Sequence, residues 1–120
     1  MSTAERRHHD RCAVDFFVAE TSAERTFLHP AVNLSPTGVA VLVSDDRRAI
    51  DATRTLALEF TLPTGVVVTT TARVAWLRDD GGRRSLGLTF GDDLADDARV
   101  AVERYVAATA AAQRRMRQTA

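Results

Sequence analysis

The sequence predicts a mainly β fold, in which a run of short antiparallel strands is followed by one helix. Apolar and polar residues alternate over much of residues 13–90, which is typical of strands with one buried face. After residue 93 the apolar residues recur every three or four positions, which is the period of a helix. Many short strands at this spacing indicate a small barrel or a sandwich.

The first half of the chain contains strand signals interrupted by prolines. The β-prone residues 13–20 predict the first strand, and residues 39–43 form a continuous apolar run of strand length. Pro30 and Pro36 argue against a long central strand, so residues 25–29 and 31–34 are expected to form short or bulged strands. The polar residues 44–54 are expected to form a surface loop.

The clearest alternation comes next, over residues 56–62, 66–77 and 86–90. The Pro-Thr-Gly at 63–65 predicts a hairpin turn, and a second turn is expected within residues 78–84. The inward face is predicted to contain Leu56, Leu58, Phe60, Leu62, Val66, Val68, Thr70, Ala72, Val74, Trp76, Leu86, Leu88 and Phe90. Trp76 is thus interpreted as a core residue rather than a stacking platform.

Composition limits the classes of function. The 120 residues suffice for one domain, and sixteen acidic residues balance sixteen basic ones, all arginine. Zero net charge argues against general nucleic-acid binding. Cys12 is the single cysteine, so an intramolecular disulfide is excluded. Neither a signal peptide nor an apolar run of roughly 20 residues is present, so we expect a cytoplasmic protein without membrane insertion.

Two short motifs flank the first predicted strand. Arg7 and Arg11 form an RxxxR pair directly after Arg6, and residues 33–38 read NLSPTG, an NxSxxG pattern. Alone, the second motif predicts a β-turn, with Ser35 first, Pro36 second and Gly38 fourth. Together with their order and the strands that follow, the motifs resemble the PilZ family of cyclic di-GMP receptors, from about Arg6 to Tyr105.

The resemblance implies a six-stranded antiparallel PilZ-type β-barrel with a C-terminal α-helix. The corresponding organisation is an arginine-rich arm at 1–12, a barrel at 13–92 and a helix at 93–117. It also implies that the arm and the NxSxxG loop bind cyclic di-GMP, and that no other cofactor is needed. The implied ligand-binding residues are Arg6, Arg7, Arg11, Asn33, Ser35 and Gly38.

The resemblance gives these residues distinct roles. Arg7 and Arg11 would hold guanine and phosphate, whereas Asn33 and Ser35 would line the barrel surface that meets guanine. Gly38 would be the small residue that ends the loop, and Arg6 would allow a stacked ligand dimer. The chemistry is consistent, because an arginine fork matches guanine O6 and N7 and also binds phosphate. On an extended backbone Asn33 and Ser35 share a face, so the side chain between them should point into the core.

Other site chemistries have weaker support in the sequence. His8, His9, Asp10 and Cys12 are metal-ligand types, but no second cluster completes a site, so we interpret the histidines as spacers and expect no metal. The sequence contains no catalytic signature, so we do not expect an enzyme. Two alternatives stay open: a PilZ-fold interaction adaptor that works without nucleotide, and a small barrel that binds an oligonucleotide or peptide.

We therefore expect a stand-alone receptor that relays cyclic di-GMP to an unidentified effector protein in motility or biofilm control. The arm at 1–11 lacks apolar anchors, so we expect it to be mobile without ligand and to fold across the barrel upon binding. The Ala-rich end of the helix, at residues 107–120, is interpreted as a frayed basic tail, with a homodimer contact as the alternative.

Overall fold

The computed structural model describes residues 10–22, 25–43 and 51–119. It confirms a mainly β fold in which all strand pairs are antiparallel. The predicted loop at 44–54 lies mostly outside the described residues. The elements are β1 (Cys12–Ala13), β2 (Phe17–Ser22), β3 (Arg25–Ser35), β4 (Gly38–Leu42), β5 (Thr55–Thr61), β6 (Val67–Asp80), β7 (Arg83–Phe90) and α1 (Asp96–Thr119).

The sheet closes into a barrel rather than a sandwich. Neighbouring strands follow the order β3, β2, β5, β6, β7, β4, and β4 pairs again with β3. The strands β1 and β2 lie on the same side of β3, separated by residues 14–16, and together act as one interrupted strand. The amide of Val14 donates to the Val32 carbonyl at 3.2 Å, and the amide of Ala31 donates to the Phe16 carbonyl at 2.8 Å. The barrel therefore has six strand positions, as expected.

The expectation that Pro30 separates two short strands is wrong, because β3 runs through it for eleven residues. The Ala31 amide points toward the β1–β2 side, so the nitrogen of the preceding Pro30 faces the opposite edge. On that edge β4 pairs with β3 only from Ala31 onward. The absent N–H of Pro30 thus removes no ladder hydrogen bond, which is the position that a strand proline requires.

The core fills the barrel and continues under the helix. Leu34, Leu58 and Leu86 are at most 2 % exposed. Cys12, placed by the sequence at the end of the arm, is also buried and pairs with Leu34 in strand β1. The helix contributes a stripe with a spacing of four residues, which packs it against the barrel. The buried residues of this stripe are Ala98, Val102, Val106 and Ala110, and Leu94, two residues before the start of α1, continues the spacing.

Asp93 fixes the segment that leads into α1. Its carboxylate accepts hydrogen bonds from the Thr71 hydroxyl at 2.8 Å, the Thr71 amide at 3.1 Å and the Thr70 hydroxyl at 3.1 Å. These bonds, chiefly the one from the Thr71 side chain, hold the pKa of Asp93 below its ordinary value of 3.8. The start of the helix is thereby attached to the middle of β6.

Within the described part of the chain, no helix is both long and apolar enough to span a membrane.

Candidate ligand-binding site

The β3–β4 turn is organised by Ser35. Ser35 and Gly38 pair at the base of the turn, with Pro36 and Thr37 between them, as the sequence predicts. The Ser35 hydroxyl oxygen accepts hydrogen bonds from the Gly38 amide at 3.1 Å and from the Thr37 amide at 3.3 Å. The hydroxyl therefore shapes the turn.

Asn33 lies on the outer surface of the barrel next to this turn. Leu34 is fully buried and Asn33 is exposed, so the predicted alternation between core and surface is correct here. A register shift between Ala31 and Asn33 marks a β-bulge at Val32. After the bulge Asn33 stands opposite Ala13 on one side and Ala40 on the other.

Two glycines allow close approach of the chain around this surface. A side chain at Gly38 would overlap the backbone carbonyl of Leu88 in β7. A side chain at Gly87 would overlap the indole ring of Trp76, which covers that glycine. Both positions need glycine for space, because neither has the positive φ that the turn glycines Gly81 and Gly82 adopt.

The expectation that Trp76 belongs to the core is wrong. A register shift between Val74 and Trp76 places a second β-bulge at Ala75. Val68, Thr70 and Ala72 still point inward, but the extra residue turns Trp76 to the outer face, where it is 38 % exposed. The guanidinium carbon of Arg78 lies 5.1 Å from the centre of the indole ring, within the range of a cation–π contact.

One row of residues crosses four strands and connects these features. Asn33 of β3 pairs with Ala40 of β4, Ala40 pairs with Gly87 of β7, and Gly87 pairs with Trp76 of β6. Three strand spacings of about 4.8 Å place the ends of the row roughly 14 Å apart along the sheet. The small residue Ala40 forms a low floor between Asn33 and Trp76, whose indole covers Gly87.

This floor belongs to a groove with a volume of about 600 Å³. We call it the basic groove, because Arg11 and Arg78 are the charged side chains on its walls and, of the residues described, no carboxylate lines it. Its lining residues are Arg11, Val32, Asn33, Leu34, Ser35, Thr37, Gly38, Val39, Ala40, Leu42, Ala75, Trp76, Arg78, Ser85, Gly87, Leu88 and Thr89. Such a surface suits a flat, anionic ligand.

Four of the predicted site residues meet in the basic groove: Arg11, Asn33, Ser35 and Gly38. Arg6 and Arg7 lie outside the described residues, as do His8 and His9. The described residues contain no group of three metal-ligating side chains.

The groove also contains Trp76 and Arg78, whose position sequence reasoning missed. The available signal was Gly87, because a glycine inside a strand marks a bulge or a close approach.

Among the described residues, the chain forms a closed six-stranded barrel with a basic groove on its outer face, followed by one C-terminal helix. These features define its class of protein. The chain belongs to the PilZ domain family, which matches residues 5–108. No curated protein sequence matches it.

Solved structures share the fold. The Bacillus subtilis inhibitor of motility, MotI/DgrA, aligns with a TM-score of 0.73 and 21 % identity, over 82 % of this chain and 48 % of that protein. The PilZ domain of YcgR from Escherichia coli, solved with c-di-GMP, aligns with a TM-score of 0.72 and 16 % identity, over 96 % of this chain and 99 % of the domain. YcgR in complex with c-di-GMP aligns with a TM-score of 0.65 and 14 % identity, over 95 % and 49 % of the two chains. The chain thus spans about half the length of MotI and of YcgR.

Proposed function

We propose that this protein is a cytoplasmic receptor for cyclic di-GMP, which binds in the basic groove. The observation that carries the proposal is the meeting of Arg11, Asn33 and Ser35 with Trp76 and Arg78 on one surface. Membership of the PilZ domain family supports it. So does the similarity of fold to the YcgR domain that was solved with this nucleotide.

Each groove residue has a chemical counterpart in the ligand. The two guanidinium groups of Arg11 and Arg78 suit phosphate oxygens or the O6 and N7 acceptors of guanine. The exposed indole of Trp76 offers a flat surface on which a guanine can stack. The Asn33 amide, at the opposite end of the row, both donates and accepts, as the edge of guanine also does. We place one guanine over Ala40, against the indole of Trp76.

We further propose that Arg6 and Arg7 complete the site when the arm folds over the groove. This proposal is supported by Arg11, which lines the groove and lies only four residues beyond Arg7 in the sequence. The closed arm, ligand and barrel would form a surface absent from the free protein, and an effector protein in motility or biofilm control would recognise that surface. The protein itself would act by binding, without catalysis.

Calorimetric titration of cyclic di-GMP tests this proposal. Wild-type protein should bind, and Arg11→Ala should bind at least about tenfold more weakly, because a charge-assisted hydrogen bond contributes about 1.5 to 3 kcal/mol. Arg83→Ala is the matched control, since it removes the same charge from an exposed residue at the β6–β7 turn, away from the groove. No heat for wild type at tens of micromolar would refute the receptor function and favour the nucleotide-free adaptor.

A second comparison tests the arm. Arg7→Ala should weaken binding about as much as Arg11→Ala. Two ligands per wild-type chain, falling to one in Arg6→Ala, would support the role of Arg6 in holding a stacked ligand dimer, whereas one ligand per wild-type chain would count against it. Binding that survives both Arg7→Ala and Arg11→Ala would show that the arm is not part of the site.

A further inference from the structure

The helix end and the strand that follows the arm are joined by a two-way hydrogen bond. The Ala13 amide donates to the Gln113 side-chain oxygen at 3.0 Å, and the Gln113 side-chain nitrogen donates to the Ala13 carbonyl at 3.0 Å. One side chain thus satisfies both backbone groups of a residue that is one hundred positions away in the sequence. We call this contact the Gln113 clamp.

The clamp acts on the strand that carries Arg11 into the groove. Strand β1 has only two residues, Cys12 and Ala13, and Arg11 directly precedes it. Because the backbone groups of Ala13 are directed to Gln113, its pairing with Asn33 lacks direct hydrogen bonds. So short a strand gains little stability from its own pairing. The helix therefore supplies the hydrogen bonds that a neighbouring strand would otherwise provide.

The helix is anchored independently of this contact. Its buried stripe extends from Ala98 to Ala110, and Gln113 follows one turn later at a half-buried position. The neighbouring ion pair between Arg114 and Asp10 is long, at 3.5 Å, and is 50 % and 38 % exposed, so it contributes little. Removal of the Gln113 amide should consequently leave the fold intact and release mainly β1.

We propose that Gln113 is a positioning residue for the ligand site, an inference that rests on the proposed function. It holds Ala13 at the end of the row formed with Asn33, Ala40, Gly87 and Trp76, and thereby keeps Arg11 over the groove. Because coupling between two sites is reciprocal, a ligand bound to Arg11 also stabilises the last turns of α1. The exposed basic end of the helix, beyond Gln113, then responds to occupancy of the groove.

The test replaces Gln113 by methionine, which keeps its shape but removes both hydrogen bonds. In calorimetry, Gln113→Met should bind cyclic di-GMP about 3- to 10-fold more weakly than wild type. Gln118→Met makes the same change at an exposed position of the same helix and should bind as wild type does. Gln113→Glu retains the acceptor but sets a carboxylate against the Ala13 carbonyl, and should be as weak as Gln113→Met.

Coupling to Arg11 separates positioning from a general structural effect. In an Arg11→Ala background, Gln113→Met should weaken binding less than about twofold, because the side chain that it positions is gone. The inference would be overturned if the losses of affinity from the two substitutions multiply in the double variant. It would also be overturned if Gln113→Met binds with wild-type affinity.

Hydrogen exchange without ligand distinguishes failure of the clamp from failure of the receptor function. The Ala13 amide should exchange roughly tenfold faster in Gln113→Met than in wild type, with the melting temperature changed little. Ligand should slow exchange in the last turns of α1 in wild type but not in this variant. Unchanged Ala13 exchange would refute the clamp. Faster Ala13 exchange in Gln113→Met, together with no binding of cyclic di-GMP by wild type, would support the Gln113 clamp. The same result would refute both the receptor function and the role of Gln113 in positioning Arg11 for ligand.

Discussion

Replacement of Trp76 tests whether the groove binds a base by stacking. The indole is 38 % exposed, so roughly 100–150 Å² of an aromatic side chain remains buried against Gly87 and its surroundings. At about 25 cal/mol per Å², truncation to alanine would cost about 3 kcal/mol of stability. Leucine would still cover much of the surface around Gly87 but has no aromatic ring. Phenylalanine has an aromatic ring that is smaller than the indole.

The magnitude follows from stacking. One base on an aromatic side chain contributes about 1 to 3 kcal/mol, so Trp76→Leu should raise the Kd for cyclic di-GMP about tenfold or more. Trp76→Phe should raise it only a few-fold. If Trp76 merely covered Gly87, phenylalanine and leucine would have similar effects.

Calorimetric titration of both variants decides between these outcomes. Leu77→Ala is the matched control, because Leu77 is the next residue of β6, is 49 % exposed and is not part of the groove lining. It should bind within twofold of wild type. Equal affinities for Trp76→Leu and wild type, or for the leucine and phenylalanine variants, would refute the stacking role.

Two further substitutions test the framework of the site. Gly38→Ala should lower the free energy of unfolding by about 1 to 3 kcal/mol, because the added methyl group would meet the Leu88 carbonyl. Chemical denaturation measures this free energy. A decrease of less than about 0.5 kcal/mol would contradict the prediction. The pKa of Asp93 is lowered in the folded protein, so its ionised carboxylate stabilises the fold at pH values above the ordinary pKa of 3.8. This stabilisation is lost as the pH falls through the lowered pKa. The melting temperature of Asp93→Asn should therefore be lower than that of wild type at neutral pH, and this difference should disappear at acidic pH. A difference in melting temperature that does not depend on pH would contradict this explanation.

Strand periodicity predicted the fold well where the ladders are regular. Leu58, Phe60 and Val68 are buried, as their alternation indicates. Leu34, between Asn33 and Ser35, is also buried, as expected. The helix was predictable because its apolar stripe repeats every four residues.

The errors arose where the ladder is irregular. The bulge at Ala75 reverses the face of every later residue in β6, and its one signal in the sequence is Gly87, on the neighbouring strand β7. Trp76 therefore looked like a core residue. Pro30 looked like a strand break because the sequence does not show that its nitrogen faces an unpaired edge. The Gln113 clamp joins residues one hundred positions apart, so only the folded chain brings them together.

Fluorescence of the single tryptophan gives the most direct test of cyclic di-GMP binding in the basic groove, because Trp76 is the only indole in the chain. Stacking of guanine should quench the emission in a saturable manner, and Arg11→Ala should shift the midpoint to at least about tenfold higher ligand concentration. Cyclic di-AMP, whose adenine lacks the O6 acceptor, should quench far less at the same concentrations. Emission that does not change with cyclic di-GMP at tens of micromolar would contradict binding at this groove.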